Sequence, residues 1–189
     1  ACLALVTTGC QTALPKRYEA SRVDAPIAID GVIDDAEWRG ASWSDRFVDI
    51  QGDTQPRPRF DTRMRMAWDD DYLYIAARLE EPHVCGKLDT HDQIVFYDND
   101  FEVFIDPDGD TAGYYEIEVN ALETIFDLFL VKAYRDGGPA QHGWNMDDML
   151  VAVEIEGTLN DPSDVDTAWT VEFAMPWAAF EHRGDLPIP

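Results

Sequence analysis

The chain has 189 residues, of which 46% are hydrophobic and 12% aromatic, and this composition is typical of one folded domain with a substantial core. With 38 acidic and 14 basic residues, the net charge is −24. A field of that sign repels phosphate backbones and anionic lipid surfaces. We therefore expect no nucleic-acid partner, whereas neutral, cationic and metal-ion ligands remain open.

The first residues form a short apolar run without charge that ends at Gly9 and Cys10. The run is too short to span a bilayer and is typical of the hydrophobic part of a signal peptide. It resembles the end of a bacterial lipoprotein signal, in which Cys10 becomes the lipidated N-terminus; an apolar first strand is the alternative. We expect residues 1–25 to be a signal remnant and tether, and residues 26–189 to form the domain. The implied location is the bacterial cell envelope, with a lipid anchor at Cys10 as the membrane contact, or the extracellular space.

The rest of the chain predicts an all-β domain. Its segments are short, alternate between apolar and polar residues, and are separated by Asp, Gly and Pro clusters. In chain order, a short strand is expected over 25–31, then a helical turn with Trp38. A second strand follows over 45–52. The spacing of these and the later strands predicts a sandwich of two antiparallel sheets.

A hairpin is predicted over residues 60–81, around a turn of three aspartates. In its first strand Met64 and Met66 alternate with Arg63 and Arg65, which gives one apolar and one basic face. The tryptophans other than Trp144 are expected to be mainly in the core, because they have apolar neighbours. Further strands are predicted over 100–107, 113–121, 124–134, 149–157 and 167–177.

Glu102 lies in the middle of an aromatic and aliphatic strand that runs into Asp106, Asp108 and Asp110. A buried carboxylate is costly unless it is paired, hydrogen-bonded or bound to a metal. The aspartate spacing is not that of an EF-hand, because the sixth and twelfth positions lack the required glycine and glutamate. The alternatives are a hairpin turn and a looser calcium site with oxygen ligands.

Catalysis is not expected in this domain. The acidic residues could supply a glycosidase pair, but some pair meets the required separation by chance in so acidic a chain. Sequence motifs for a nucleophile elbow, a phosphate loop or a zinc protease are absent. A haem-binding sandwich with Met64 or Met66 as axial ligand is a further alternative, although the core face explains both methionines.

Four motifs in order, residues 29–38, 66–84, 98–110 and 114–128, resemble the carbohydrate-binding module family 9. The resemblance runs from about residue 26 to the C-terminus. It implies a β-sandwich of the kind attached to xylanases and other glycoside hydrolases. Such modules hold glucose- or xylose-type glycan ends between two aromatic rings and contain structural calcium.

The resemblance also implies the site residues. Phe96, or its neighbour Tyr97, takes the position of the first aromatic platform. Asn99, Glu102 and Asn120 match polar positions that bind sugar hydroxyls. A carboxylate held on a rigid sheet beside flat aromatics suits that role, since hydroxyls need fixed acceptors and sugar faces need apolar contact.

Two departures from the family pattern stand out. The first is Glu118, which lies where members can carry a basic residue. The second is that the second aromatic ring of the family site belongs to C-terminal strands that this sequence does not contain. We therefore expect the domain to be incomplete at its C-terminal end. Trp144 is the replacement candidate, with a loop or core tryptophan as its alternative. Glu102 could also pair with Arg63 or Arg65 instead of binding sugar.

The sequence thus predicts a non-catalytic, monomeric module that binds oligo- or polysaccharide in polysaccharide degradation. Structural Ca²⁺ at Asp106, Asp108 and Asp110 is expected, and no organic cofactor. The alternative is an envelope lipoprotein that serves protein interaction, or a calcium-stabilised structural module, in which the sugar site has decayed.

Overall fold

A computed structural model describes residues 16–180, which form two β-sheets packed face to face, so the predicted all-β sandwich is confirmed. The strands are numbered in chain order. The first sheet has five strands, in the spatial order β1 (Ser21–Arg22), β2 (Thr62–Trp68), β3 (Tyr72–Glu80), β9 (Ala168–Pro176) and β8 (Leu150–Glu156). Neighbours in this sheet are antiparallel apart from β1 and β2, which pair in parallel.

The second sheet has four antiparallel strands that follow one another in the chain. They are β4 (Asp100–Ile105), β5 (Ala112–Asn120), β6 (Ile125–Lys132) and β7 (Ala140–Gln141). Helical structure in the described residues is confined to five short 3₁₀ turns: Ala36–Gly40, Gly52–Thr54, Val95–Tyr97, Tyr134–Asp136 and Trp177–Ala179. No helix in this part of the chain is long and apolar enough to cross a membrane.

The main core lies between the sheets and follows the period of two that strands impose. Alternate residues of β9 and β5 meet there, among them Phe173 and Ile117, and Met64 and Met66 pack against them as predicted. The odd-numbered residues of β4 also face this core, so the even-numbered residues, including Glu102, face outward. This alternation determines which acidic side chains can meet.

The outer face of the first sheet is covered by residues 23–41. Trp38, predicted to lie in a helical turn and to be buried, packs there at 1% exposure. Its indole N–H donates to Oε1 of the fully buried Glu172, at 2.7 Å, and the backbone N–H of Gly31 donates to Oε2 of the same carboxylate. A mid-strand glutamate is thus satisfied by donors from a covering loop.

The predictions of strands over 25–31 and 45–52 are wrong. Residues 25–31 lie across the sheet face without a strand partner, because Ile27 inserts into the apolar layer around Trp38. Residues 44–47 follow the edge of β2 but make only two backbone hydrogen bonds to it, from Ser44 and Phe47. Trp43 was also assigned wrongly, since it is exposed and Arg65 stacks over its ring.

Candidate functional site

Three glutamates converge on the outer face of the second sheet. The register of β4 and β5 pairs Glu102 directly with Glu118, and Glu116 lies one outward position further along β5. One carboxylate oxygen from each lies within 4.8 Å of the others. Glu102 is solvent-exposed, whereas Glu116 and Glu118 are buried. We call these three residues the glutamate cluster.

The glutamate cluster receives few hydrogen bonds from the surrounding described residues. The hydroxyl of Tyr134 donates to Oε2 of Glu116 at 2.7 Å, and the backbone N–H of Phe96 donates to Oε2 of Glu118 at 3.2 Å. Oε1 of Glu118 is buried without a hydrogen-bond partner. Glu118 also shares a hydrogen bond with the carboxyl group of Glu116, so a donor for Oε1 has to come from a proton held within the cluster or from a bound group.

No arginine neutralises the cluster within residues 16–180. The ion pairs formed there do not include Glu102, Glu116 or Glu118. Arg63 pairs with Asp61. Arg65, on β2 of the first sheet, donates to the carbonyl of Trp38. The alternative of a Glu102 pair with either arginine is therefore wrong.

Burial and mutual repulsion perturb the cluster strongly. Burial raises the pKa of Glu118 to about 8, with further contributions from the charges of Asp100 and Glu102. Burial likewise raises the pKa of Glu102 to about 7, helped by its hydrogen bond to Glu116. Burial also raises the pKa of Asp100, on the same face, to about 6. Near neutral pH the cluster therefore holds protons in the absence of a bound cation.

Aromatic rings flank the cluster. Phe96 and Tyr97 are 54% and 76% exposed, and their ring centroids are 4.8 Å apart. Tyr134, which is 53% exposed, stands over Glu116 through its hydroxyl bond. On the outward face of β4, Phe104 follows Glu102 and is also exposed. Exposed rings beside acceptors are what sugar recognition requires.

Three predicted site residues are engaged with other groups of the protein. Asn99 is exposed, and its amide donates to Oε2 of Glu81 at 3.1 Å. Asn120 is buried, and its amide group bonds to four protein groups, which include Oδ2 of Asp98 and the backbone N–H of Thr124. Trp144 packs on Tyr115 in the sandwich core, with ring centroids 4.7 Å apart. Phe96, Tyr97 and Glu102 are the predicted residues that the structure brings together.

Sequence reasoning missed Tyr134 and treated Glu118 only as a departure. The alternation along the strand predicts that Glu116 and Glu118 share one face, as they do in the structure. It leaves open that Glu102 faces elsewhere, because the pairing of Glu118 with Glu102 depends on the turn geometry. Tyr134 reaches the cluster from a 3₁₀ turn after β6, and no local pattern indicates that position.

Asp106, Asp108 and Asp110 form the turn between β4 and β5, as the hairpin alternative predicted. Oxygen atoms from the three lie within 4.8 Å of one another. The carboxylate of Asp106 accepts the backbone N–H groups of Gly109 and Thr111, at 3.0 and 2.8 Å. These oxygens therefore stabilise the turn, and they are also of the hard type that Ca²⁺ prefers.

A further acidic group includes Asp127, which lies on β6 opposite Ile117 of β5. Asp127 is 1% exposed, and its Oδ1 is 3.5 Å from Nε2 of the exposed His91, next to Asp92. Its Oδ2 accepts the backbone N–H of Met146 at 2.5 Å. Burial raises the pKa of Asp127, although the bond from Met146 and the charge of His91 oppose that effect.

Residues 29–185 match the family model described as carbohydrate family 9 binding domain-like, and the chain belongs to that family. This match covers most of the sequence. No curated protein matches the chain significantly.

Solved structures show the same fold. A candidate carbohydrate-binding protein from Bacteroides uniformis is 16% identical with a TM-score of 0.62, over 85% of this chain and 72% of that one. A carbohydrate-binding module of family 9 from Caldicellulosiruptor kristjanssonii, in complex with glucose, is 17% identical with a TM-score of 0.57, over 91% and 72%. A family 9 module from the same organism, in complex with cellotriose, is 17% identical with a TM-score of 0.54, over 85% of this chain and 67% of that one.

Proposed function

We propose that the domain is a non-catalytic module that binds the ends of glucose- or xylose-type glycans. The observation that carries the proposal is the placement of exposed Glu102 on a rigid sheet face with the exposed aromatic residues Phe96 and Tyr97 beside its cluster. Family membership and the glucose- and cellotriose-bound relatives support the same class of ligand. A role in polysaccharide degradation, with catalysis supplied by another domain, completes the proposal.

Each residue of the proposed site has its own role in sugar binding. The faces of Phe96 and Tyr97 supply apolar contact for the axial hydrogens of a pyranose ring. The carboxylate of Glu102 accepts hydrogen bonds from hydroxyl groups. Tyr134 takes the place that we first gave to Trp144, because it is exposed and lies at the cluster. Asn120 positions the segment around Leu88 through its buried bonds and is left out of the proposed sugar contacts.

The test is calorimetric titration with cellotriose and xylotriose and with their end-reduced forms. Phe96→Ala and Tyr97→Ala are each expected to lower affinity about fivefold or more, since a stacked ring contributes on the order of 1 kcal/mol beyond its buried area. Phe47→Ala is the matched control, because Phe47 is 40% exposed and packs against Phe101 on the core side of β4. Binding that disappears on end reduction would identify recognition of the reducing end.

Absence of binding by every glycan, with the chain shown to be folded, would refute the proposal. The alternative of an envelope protein for interaction or assembly, with a decayed sugar site, would then be favoured. Equal affinity of the wild type and both aromatic variants would locate the sugar elsewhere on the surface.

We propose structural Ca²⁺ at the turn of Asp106, Asp108 and Asp110 as a separate point. The three carboxylates supply part of the oxygen shell of about six to eight ligands that Ca²⁺ takes. Calcium is then expected to raise the melting temperature of the wild type but not of Asp108→Asn. An equal rise in both would refute this assignment.

Attachment to the cell envelope through Cys10 is also a proposal, and Cys10 lies outside the described residues. It predicts that the native protein carries a lipid on Cys10. Mass spectrometry of the N-terminal peptide from the source cells tests it, and an unmodified peptide that includes residues 1–10 would refute it.

A further inference from the structure

We propose that the glutamate cluster binds a positively charged group of the glycan, so that the preferred ligand is an amino sugar whose ammonium group lies among Glu102, Glu116 and Glu118. This inference rests on the proposed carbohydrate-binding function and specifies its ligand class. A chain of β-1,4-linked 2-amino-2-deoxyglucose has the required chemistry.

The first argument is charge. Three carboxylates lie together, with no Lys, Arg or His in an ion pair with any of them in residues 16–180. Asp100, on the same face, adds to the repulsion. Such a cluster is stable only if it holds protons or a cation. Near neutral pH the free cluster holds protons, and a neutral sugar leaves that state unchanged, whereas an ammonium group can replace those protons.

The second argument is the unpartnered oxygen. Glu118 has 0% exposure, and its Oε1 is buried without a hydrogen-bond partner while Oε2 accepts the N–H of Phe96. An ionised oxygen left in this state costs more than a neutral one. Glu102, paired with Glu118 across the strands, is the exposed member of the cluster, so a ligand's ammonium group would approach from the side of Glu102.

The third argument separates an ammonium group from a metal ion. A primary ammonium has three N–H donors, which matches three carboxylate acceptors. Ca²⁺ needs about six to eight oxygen ligands, of which the cluster supplies only three carboxylates. The exposed rings of Phe96 and Tyr97 also suit a cationic sugar, because aromatic faces attract cations.

The test compares trimers with one backbone and different groups at carbon 2. Cellotriose carries a hydroxyl, the glucosamine trimer an ammonium and the N-acetylglucosamine trimer a neutral amide. The wild type is expected to bind the glucosamine trimer about tenfold or more tightly than the other two, since one charge-assisted hydrogen bond in a desolvated site is worth about that factor. Titrations are run near pH 7 at moderate salt.

Two variants locate the effect. Glu102→Gln keeps the side-chain shape and is expected to reduce the preference to about twofold or less. Glu154→Gln is the matched control, because Glu154 is also an exposed mid-strand glutamate, on β8 of the other sheet. It removes the same charge from an acidic protein, so an unchanged preference in this variant excludes a general attraction of cations to the net charge of −24.

Proton release gives a second readout. Glu102 and Glu118 hold protons near neutral pH, as their raised pKa values require. The other titratable groups that face them are Asp100, Glu116 and Tyr134. Ammonium binding is therefore expected to release protons, seen as a dependence of the binding heat on the ionisation enthalpy of the buffer. Cellotriose is expected to show a much smaller dependence.

The outcomes are distinct. Cellotriose binding with no preference for the amino sugar would refute this inference and leave the proposed function intact. No binding of any trimer would refute both. Binding of Ca²⁺ or Mn²⁺ that is lost in Glu102→Gln, without amino-sugar preference, would identify the cluster as a metal site and also refute the inference.

Discussion

Replacing Glu118 by glutamine is expected to stabilise the domain at alkaline pH and to change it little near pH 5. The native pKa of Glu118 is raised by burial from 4.5 to about 8, so the native state binds more protons than the unfolded state between these values. The free energy of unfolding therefore falls as pH rises through that window. Since one pKa unit corresponds to about 1.36 kcal/mol, the loss is expected to be several kcal/mol between pH 4 and pH 9.

That loss is a large fraction of the roughly 5–15 kcal/mol that stabilises a typical domain. Glutamine keeps the shape of the side chain and still accepts the N–H of Phe96, but it cannot ionise. Glu102 and Asp100, whose pKa values burial raises to about 7 and about 6, still titrate in the variant. The variant is therefore expected to lose less stability than the wild type as pH rises above 5.

Urea unfolding of the wild type and of Glu118→Gln near pH 5, 7 and 9 measures the effect. Glu154→Gln again serves as control, since its glutamate is exposed on the other sheet, and it should follow the wild-type profile. Parallel profiles for the wild type and Glu118→Gln would show that the pKa of Glu118 is the same in the folded and unfolded states. The reasoning about the cluster would then be wrong.

Two further predictions concern the loop over the first sheet. Gly31→Ala is expected to destabilise the domain by about 2 kcal/mol or more, because Gly31 has a φ of +86° and a Cβ there would lie 2.7 Å from the backbone of Val153. The measurement is urea unfolding. Gly40→Ala is the control, because a Cβ at Gly40 would meet nothing within 4 Å. Trp38→Phe removes the indole donor from buried Glu172 and is expected to lower the free energy of unfolding by on the order of 2 kcal/mol. The loss is expected to be larger at pH 8 than at pH 5, because the pKa of Glu172 would rise further. Equal losses at both pH values would contradict this prediction.

The elements that could be predicted from sequence were those with long alternating patterns. The hairpin of β2 and β3 and the strands β4, β5, β6, β8 and β9 all follow such runs, because period two directly reports which face is buried. Residues 25–31 and 45–52 carry similar short patterns but lie over a sheet face or along an edge. Local composition does not distinguish a paired strand from an extended segment that packs without a partner.

The site was only partly predictable for a related reason. Glu102 and Glu172 both lie in the middle of apolar strands, and sequence alone treats them alike. In the structure Glu172 receives donors from Trp38 and Gly31, whereas Glu102 faces other carboxylates. Which environment a strand glutamate meets depends on strand register and on the loop that covers the sheet, and both are tertiary features.

A lysine at the position of Glu118 provides the strongest test of how charge determines the ligand. The resemblance to family 9 implied that members can carry a basic residue there. Glu118→Lys would place an internal ammonium group between Glu102 and Glu116, where we propose that the ligand's ammonium binds. The preference for the glucosamine trimer over cellotriose is then expected to disappear, because the carboxylates are already paired.

Circular dichroism and cooperative urea unfolding establish that this variant is folded. If the buried lysine unfolds the domain, Glu102→Lys offers a test at an exposed position, and it is judged by the ratio of the two affinities because Glu102 is also a proposed sugar contact. A variant that is folded and still prefers the amino sugar by the wild-type ratio would show that the cluster does not contact the ligand's ammonium group. Loss of the preference for the amino sugar, with cellotriose binding retained, would show that the aromatic residues Phe96 and Tyr97 and the glutamate cluster act separately. The charge sign of one buried side chain would then decide between neutral and cationic glycans.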